Sequence, residues 1–177
     1  MAEPRVSLPI ETDRLRLRSL VDEDVAALHA IYGDTETMRF IGSAGRPTPD
    51  VDATRRTLGV LLEHERQHGF SLWALDERDG DALVGIAGLL LVEGTGPEVE
   101  AAYLVRRDRW GHGYATEALR AVLAMATELG LRRVVALAYP ENHASRRVME
   151  KAGMVPDGTV TAYGREMTRH SWSPAQG

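Results

Sequence analysis

Along residues 10–18, Leu15 and Leu17 alternate with Arg14, Arg16 and Arg18, the two-residue period of a strand with one buried face. Asp22 is placed to cap a helix reaching about residue 32. Residues 38–50 are dense in Gly and Pro and read as a loop. After Asp50 or Asp52 the apolar spacing becomes helical, through Leu58, Leu61 and Leu62, until Gly69 stops it. Strands follow at 70–75 and 82–92, joined by the hairpin loop 76–81, and a third at 99–105. Over residues 115–129, Ala118, Leu119, Val122, Leu123 and Ala126 share one face while Glu117, Arg120, Thr127 and Glu128 lie off it. That is an amphipathic helix, ended by Gly130 as a left-handed cap. Residues 133–139 form a buried strand, Asn142 caps a short helix ending at Gly153, and strands at 154–160 and 165–172 follow. The tail, 173–177, is expected to fray.

The order is strand, two helices, three strands, helix, strand, helix, strands. It predicts an α/β (α+β) domain without the regular alternation of a doubly wound fold. The 177 residues suit one domain, 1–177, with a core at about 8–172. A net charge of −5 argues against a nucleic-acid surface. The chain has no cysteine, which excludes disulfides, thiolate nucleophiles and Cys-based zinc sites and suits a reducing cytoplasm. The longest apolar run, 83–92, contains Gly85 and Gly88 and is too short to span a bilayer. The N-terminus has no apolar signal core, so the expectation is a soluble cytoplasmic protein with no membrane partner.

The strand at 99–105 runs through Arg106, Arg107, Asp108, Arg109, Trp110, Gly111, His112 and Gly113 directly into a helix. Glycines let backbone approach a ligand, and the first helical amides have no partner within the helix, so this is an anion site suited to a pyrophosphate. Arg106, Arg107, Arg109 and His112 are available to neutralise phosphates, or form a solvated basic turn. A dinucleotide fingerprint needs Gly or Ala at Thr116 and an acid ending the next strand, which instead ends in Tyr139-Pro140. No Gly-Lys-Ser/Thr of a P-loop exists. A simple helix-entry turn is the bland alternative.

A second motif competes. His64-Glu65-Arg66-Gln67-His68 matches His-Glu-x-x-His, in which two imidazoles one helical turn apart bind zinc and the Glu acts as base. Arg66 and Gln67 are polar where a buried zinc helix needs apolar residues, Gly69 stops the helix, and no further ligand motif follows. The segment reads better as a polar helix end bordering a cleft.

Trp110-Gly-His-Gly-Tyr-Ala-Thr-Glu-Ala118, followed by Pro140-Glu-Asn-His-Ala-Ser145-Arg-Arg-Val-Met-Glu-Lys151-Ala-Gly153, resembles the GNAT acetyltransferase superfamily. Together with residues 11–18 (ETDRLRLR) it resembles the RimJ/RimL-like branch, which acetylates protein N-termini and small amines. The resemblance spans about residues 8–172. It implies a GNAT fold: a mixed, mostly antiparallel sheet of about six to seven strands, splayed at the cofactor site and flanked by about four helices. It implies acetyl-CoA as co-substrate, a primary amine as acceptor, no metal, and a family in which homodimers are common. The phosphate loop falls on Arg109, Trp110, Gly111, His112, Gly113, Tyr114, Ala115 and Thr116, with Trp110 where the family has Gln or Arg. Pantetheine falls along the backbone of Tyr103, Leu104 and Val105, and the last helix contributes Asn142, Ser145 and Arg146. Asn142 as a plain helix cap is compatible with that contact.

Acyl transfer from a thioester requires a deprotonated amine, a polarised carbonyl and a stabilised leaving thiolate. Glu100 is the leading base, in the position of the branch's acidic strand residue; Glu98 is a substitute, and a solvent-facing strand residue is the alternative for Glu100. A backbone amide near Leu104 suits the carbonyl. Many GNAT enzymes protonate the thiolate with a Tyr where this chain has Met149, which cannot donate. Ser145 takes that role by resemblance, with Tyr139 as a backup. Residues 39–50, 64–70 and 161–166 would choose the acceptor, with Arg46 and Arg165 attracting an acceptor carboxylate or phosphate. The competing functions are a CoA-binding module without turnover and a zinc hydrolase using His64, Glu65 and His68.

Overall fold

The computed structural model describes residues 6–42, 45–80 and 82–175; of the expected fraying tail, 176–177 lie outside the described residues. Alternation through residues 10–18 conceals a turn. Thr12 breaks the run into β1 (Ile10–Glu11) and β2 (Leu15–Arg18), its amide donating to the Leu15 carbonyl at 2.8 Å and its hydroxyl accepting from the Leu15 amide at 3.0 Å. Helix α1 (Val25–Tyr32) starts after a short 3-10 turn, so Asp22 does not cap it. The carboxylate that organises this entry is Asp24, which accepts from the Val21 amide at 2.9 Å. One further turn, α2 (Thr35–Met38), is capped by Asp34, which accepts from the Thr37 amide at 2.7 Å. It is too short to show a helical period in the sequence.

Helix α3 (Val51–His68) is capped by Asp50 and ends at Gly69 with φ 74°. Strands β3 (Leu72–Glu77), β4 (Leu83–Leu91) and β5 (Val99–Val105) form an antiparallel meander. Helix α4 (Tyr114–Glu128) leads to β6 (Val134–Ala138); α5 (His143–Lys151) precedes the hairpin β7 (Val155–Ala162) and β8 (Arg165–Trp172). The eight strands lie in the order β1-β2-β3-β4-β5-β6-β8-β7. The splitting of the first strand and the extra α2 turn take the counts among the described residues to eight strands and five helices.

Every neighbouring pair is antiparallel except β5 and β6, which are parallel and share the single register pair Glu100–Val135. Beyond it the two strands part. Side chains alternate across the pleat. From β5, Ala101 packs into the core formed with α4, while Ala102 and Leu104 pack with α1 and α3 on the other face. Arg18 bridges the half of the sheet near α1, holding Asp24 at 2.8 Å and Asp76 at 2.6 Å. Burial pushes the Asp24 carboxyl up, but Arg18 and the Val21 amide together outweigh it and leave it below its ordinary value. No helix among the described residues is long and apolar enough to cross a membrane.

Candidate active site

The gap between β5 and β6 opens a cleft of about 900 Å³, lined by residues 100–105, by Leu137 and Ala138 across the gap, and by the start of α4. At one end lies the glycine loop. Gly113 begins α4 with φ 82° and no side chain caps the helix. Among the described residues, the amides of residues 111–116 make no hydrogen bond to the protein. A Cβ at Gly111 would meet nothing within 4 Å, and one at Gly113 only the Arg14 guanidinium at 3.4 Å. Unpaired amides around empty space fit a diphosphate.

The loop is held by side chains from other parts of the fold. Arg14 of the first hairpin donates to the His112 carbonyl at 2.7 Å and pairs with Glu117 at 2.6 Å. Arg109 pairs with Glu77 at 2.9 Å, and Glu77 also accepts from the Tyr114 hydroxyl at 2.8 Å. Arg106 pairs with Asp108 at 2.6 Å and Arg107 lies 3.6 Å from Asp34. The three arginines expected to neutralise phosphates are thus compensated by carboxylates, and only Arg109 lines the cleft. His112 lies outside the lining, its Nδ1 against the Trp110 carbonyl. Trp110 lines it and donates to the Val105 carbonyl at 2.8 Å. On α5 the cleft is lined by Arg147 and Lys151, while Arg146 reaches the Pro140 carbonyl at 3.4 Å. Arg147 and Lys151 have no carboxylate partner among the described residues.

In the middle of the cleft the strand register decides which amides are available. The β4–β5 ladder bonds the Arg106 amide to the Val84 carbonyl at one end and the Val92 amide to the Glu98 carbonyl at the other. Pairs at even-numbered β5 positions therefore carry its hydrogen bonds. The Leu104 amide is committed to β4, whereas the amides of Tyr103 and Val105 face the gap. Asn142 caps α5, accepting from the Ser145 amide at 3.1 Å. The Tyr103 hydroxyl lies 2.8 Å from Ser145 Oγ and donates to the Ser145 carbonyl at 3.0 Å. Burial raises the Tyr103 pKa well above that of a free phenol. Met149 is buried beside them in the cleft wall. Tyr139 is not in the lining; its hydroxyl donates to the Gly42 carbonyl and Arg165 stacks over its ring.

Glu100 sits at the far end, 8% exposed, on the α1/α3 face. Burial raises its pKa from 4.5 to about 7, against hydrogen bonds from the Tyr163 hydroxyl (2.6 Å) and the Leu137 amide. Tyr163 occupies the β7–β8 turn with φ 54° and also donates its own amide to Glu93 at 2.7 Å. The sequence marked that turn as variable but gave no sign of this contact, which joins residues 63 positions apart. Glu98 pairs with Arg169 instead, at 3.7 Å. Arg46 is outside the lining, where Arg39 takes part.

The zinc reading does not hold. The Leu91 amide donates to His64 Nε2 at 3.3 Å, so Nδ1 carries the proton toward the Phe70 carbonyl at 2.8 Å. Burial lowers the His64 pKa, keeping the ring neutral. Glu65 accepts from Ser19 at 2.8 Å and Trp73 at 3.1 Å. Both ring nitrogens and the presumed base are occupied, this helix end does not border the cleft, and no group of three metal-ligating side chains occurs among the described residues.

Residues 14–155 match the family model described as Acetyltransferase (GNAT) domain. The chain belongs to the GNAT acetyltransferase family. It is 28% identical over 156 residues to an uncharacterized N-acetyltransferase of Bacillus subtilis, YoaA, covering 87% of this chain and 86% of that one. It is 32% identical over 157 residues to the uncharacterized protein YkkB of the same organism, covering 87% and 89%. Its fold matches that of Mycobacterium smegmatis RimJ, solved in complex with CoA-disulfide, with a TM-score of 0.75 and 23% identity over 90% of this chain and 82% of that one. This GNAT domain is therefore an acyltransferase that uses acetyl-CoA, and the open amides of its glycine loop fit that donor's diphosphate.

Proposed function

We propose that this GNAT protein acetylates a primary amine by direct attack within the β5–β6 gap, with Glu100 as general base and the Tyr103–Ser145 hydroxyl pair facing the leaving sulfur. One observation carries the reading: a single cleft runs from the unpaired amides of residues 111–116, past the gap-facing backbone of β5, to the Glu100 carboxylate. The diphosphate would lie on the glycine loop, with Arg147 and Lys151 close by. The amides of Tyr103 and Val105 would bind the extended arm as an added strand does.

With a pKa of about 7, Glu100 is partly ionised near neutral pH and accepts a proton from the acceptor ammonium. An α-ammonium, with pKa of about 8, gives up its proton to such a base most readily, and an alkylammonium near 10.4 leans on the same carboxylate more heavily. The neutral nitrogen then forms the C–N bond as the C–S bond breaks; the proton it sheds on becoming an amide restores the one given up by the hydroxyl pair, and Glu100 returns its own proton to solvent. Tyr103 and Ser145, protonated and hydrogen-bonded to each other, supply a proton to the departing thiolate, the role that Met149 cannot fill. A protein N-terminus and a small amine both satisfy this arrangement.

The test is thiol release from acetyl-CoA across a set of primary amines, with mass spectrometry of the products. Acetylated amine formed together with free CoA is the expected result. Tight CoA binding with no product from any amine would leave a binding module and overturn the proposal.

A further inference from the structure

The acceptor's chemistry follows from the face of the sheet that Glu100 shares. Residues 100, 102 and 104 project from β5 toward α1 and α3, so the base opens into the part of the cleft between those helices and the sheet. The walls there are Met38, Leu61, Leu72, Ile86 and Leu90, with Tyr32 from the end of α1. The threonine hydroxyls on this side have local partners: Thr37 donates to Asp34 at 2.7 Å, Thr57 donates to the Ala53 carbonyl at 3.2 Å, and Thr48 lies against the Thr54 hydroxyl at 3.1 Å. Besides Glu100, the one carboxylate in the lining among the described residues is Glu36, exposed and 3.9 Å from Arg39. An acceptor with several ammonium groups would lose their hydration here with a single buried carboxylate to replace it, beside a guanidinium of like charge.

Tyr32 adds a second, independent observation. Its side chain is buried, 7% exposed, and lines the cleft. No hydrogen bond engages its hydroxyl among the described residues. The phenol oxygen is not sealed off but reaches the open cleft, and burial of the ring raises its pKa, so it remains a donor.

We infer that the acceptor is a singly charged primary amine on a compact apolar or aromatic body, with one hydrogen-bonding group that meets the Tyr32 hydroxyl. The inference rests on the acetyl-transfer reading above. Each methylene moved from water into such a chamber strengthens transition-state binding about fourfold.

The experiment measures kcat/KM for CoA release at saturating acetyl-CoA with ethylamine, propylamine, butylamine, 2-phenylethylamine, tyramine and spermidine. The expected result is a rise of about fourfold per methylene along the alkylamines, higher values for the two aromatic amines, and spermidine no better than ethylamine. Tyramine should exceed 2-phenylethylamine, and Tyr32→Phe should abolish that ratio. A flat alkylamine series, or a preference for spermidine, overturns the acceptor class while leaving acetyl transfer standing. A ratio unchanged in Tyr32→Phe overturns the phenol contact. Acetyl-CoA binding with no amine acetylated overturns both this inference and the reading beneath it.

Discussion

Replacing Glu100 by Gln removes a general base and a buried ionisable group in one step, and the two consequences have opposite signs. In the folded protein Glu100 titrates at about 7 instead of 4.5 because burial disfavours its charge. Between those values the folded state holds a proton that the unfolded chain has released. Stability therefore falls as pH rises through this window and levels off above it. At about 1.4 kcal/mol per pK unit, the ionised carboxylate costs the fold about 3 kcal/mol. Glu100→Gln keeps an acceptor for Tyr163 and carries no charge, so it should match the wild type near pH 4.5. It should be up to about 3 kcal/mol more stable near pH 8.5, a rise of roughly 6–12 °C in Tm for a domain of this size. Activity should move the other way, with kcat/KM falling at least about a hundredfold. The acid limb of the wild-type pH profile, centred near the pKa of Glu100, should disappear. Melting curves across pH and initial rates of CoA release measure both. Wild-type activity with the acid limb intact, or a variant less stable than wild type at alkaline pH, would refute the reasoning.

Tyr163→Phe deletes a hydrogen bond that favours the ionised form of Glu100, so the acid limb of the rate profile should shift to higher pH, read from kcat/KM between about pH 6 and 9. Tyr103→Phe and Ser145→Ala should each slow turnover about tenfold, and the loss should shrink with a thioester whose leaving thiol is more acidic. Gly113→Ala forces a side chain to φ 82°, at roughly 1–2 kcal/mol, and presses a methyl against the Arg14 guanidinium, disturbing the loop's open amides, so the KM for acetyl-CoA should rise about tenfold. By contrast Gly59→Ala, in open space on α3, should raise stability by about 0.5–1 kcal/mol and leave that KM unchanged, as thermal melts and saturation curves will show. Arg18→Leu leaves Asp24 and Asp76 partly buried without their cation, and urea titration at neutral pH should show a loss of about 2–3 kcal/mol. The native pair's contribution is present above the ordinary carboxylate pKa and is lost as pH falls through the depressed value of Asp24, so the deficit should narrow in acid.

Elements with local signals at both ends were legible in the sequence. Strand β5 was read to the residue, because an apolar run ends abruptly at Arg106. Helix α3 was bounded by a capping Asp50 and a left-handed Gly69. Elements without a period of their own were not legible: α2 is a single turn, and the turn at Thr12 preserves the alternation it interrupts. At the site, backbone features were easier to foresee than side-chain partners. Glycine spacing implied an open helix start, whereas nothing local to Arg109 announces Glu77 from another strand, and nothing near Glu100 announces Tyr163. Arg146 and Arg147 show the same limit: adjacent on α5, they point different ways, and only the packed helix reveals which one reaches the cleft.

The single rung between β5 and β6 has a thermodynamic corollary. A sheet divided at its centre has lost main-chain pairing where a fold is normally most rigid, and an amide-bearing ligand seated there restores some of it. On the proposed placement of acetyl-CoA, donor occupancy would be coupled to resistance against unfolding, and the protein would become tougher in proportion to how well it is supplied with its own reactant.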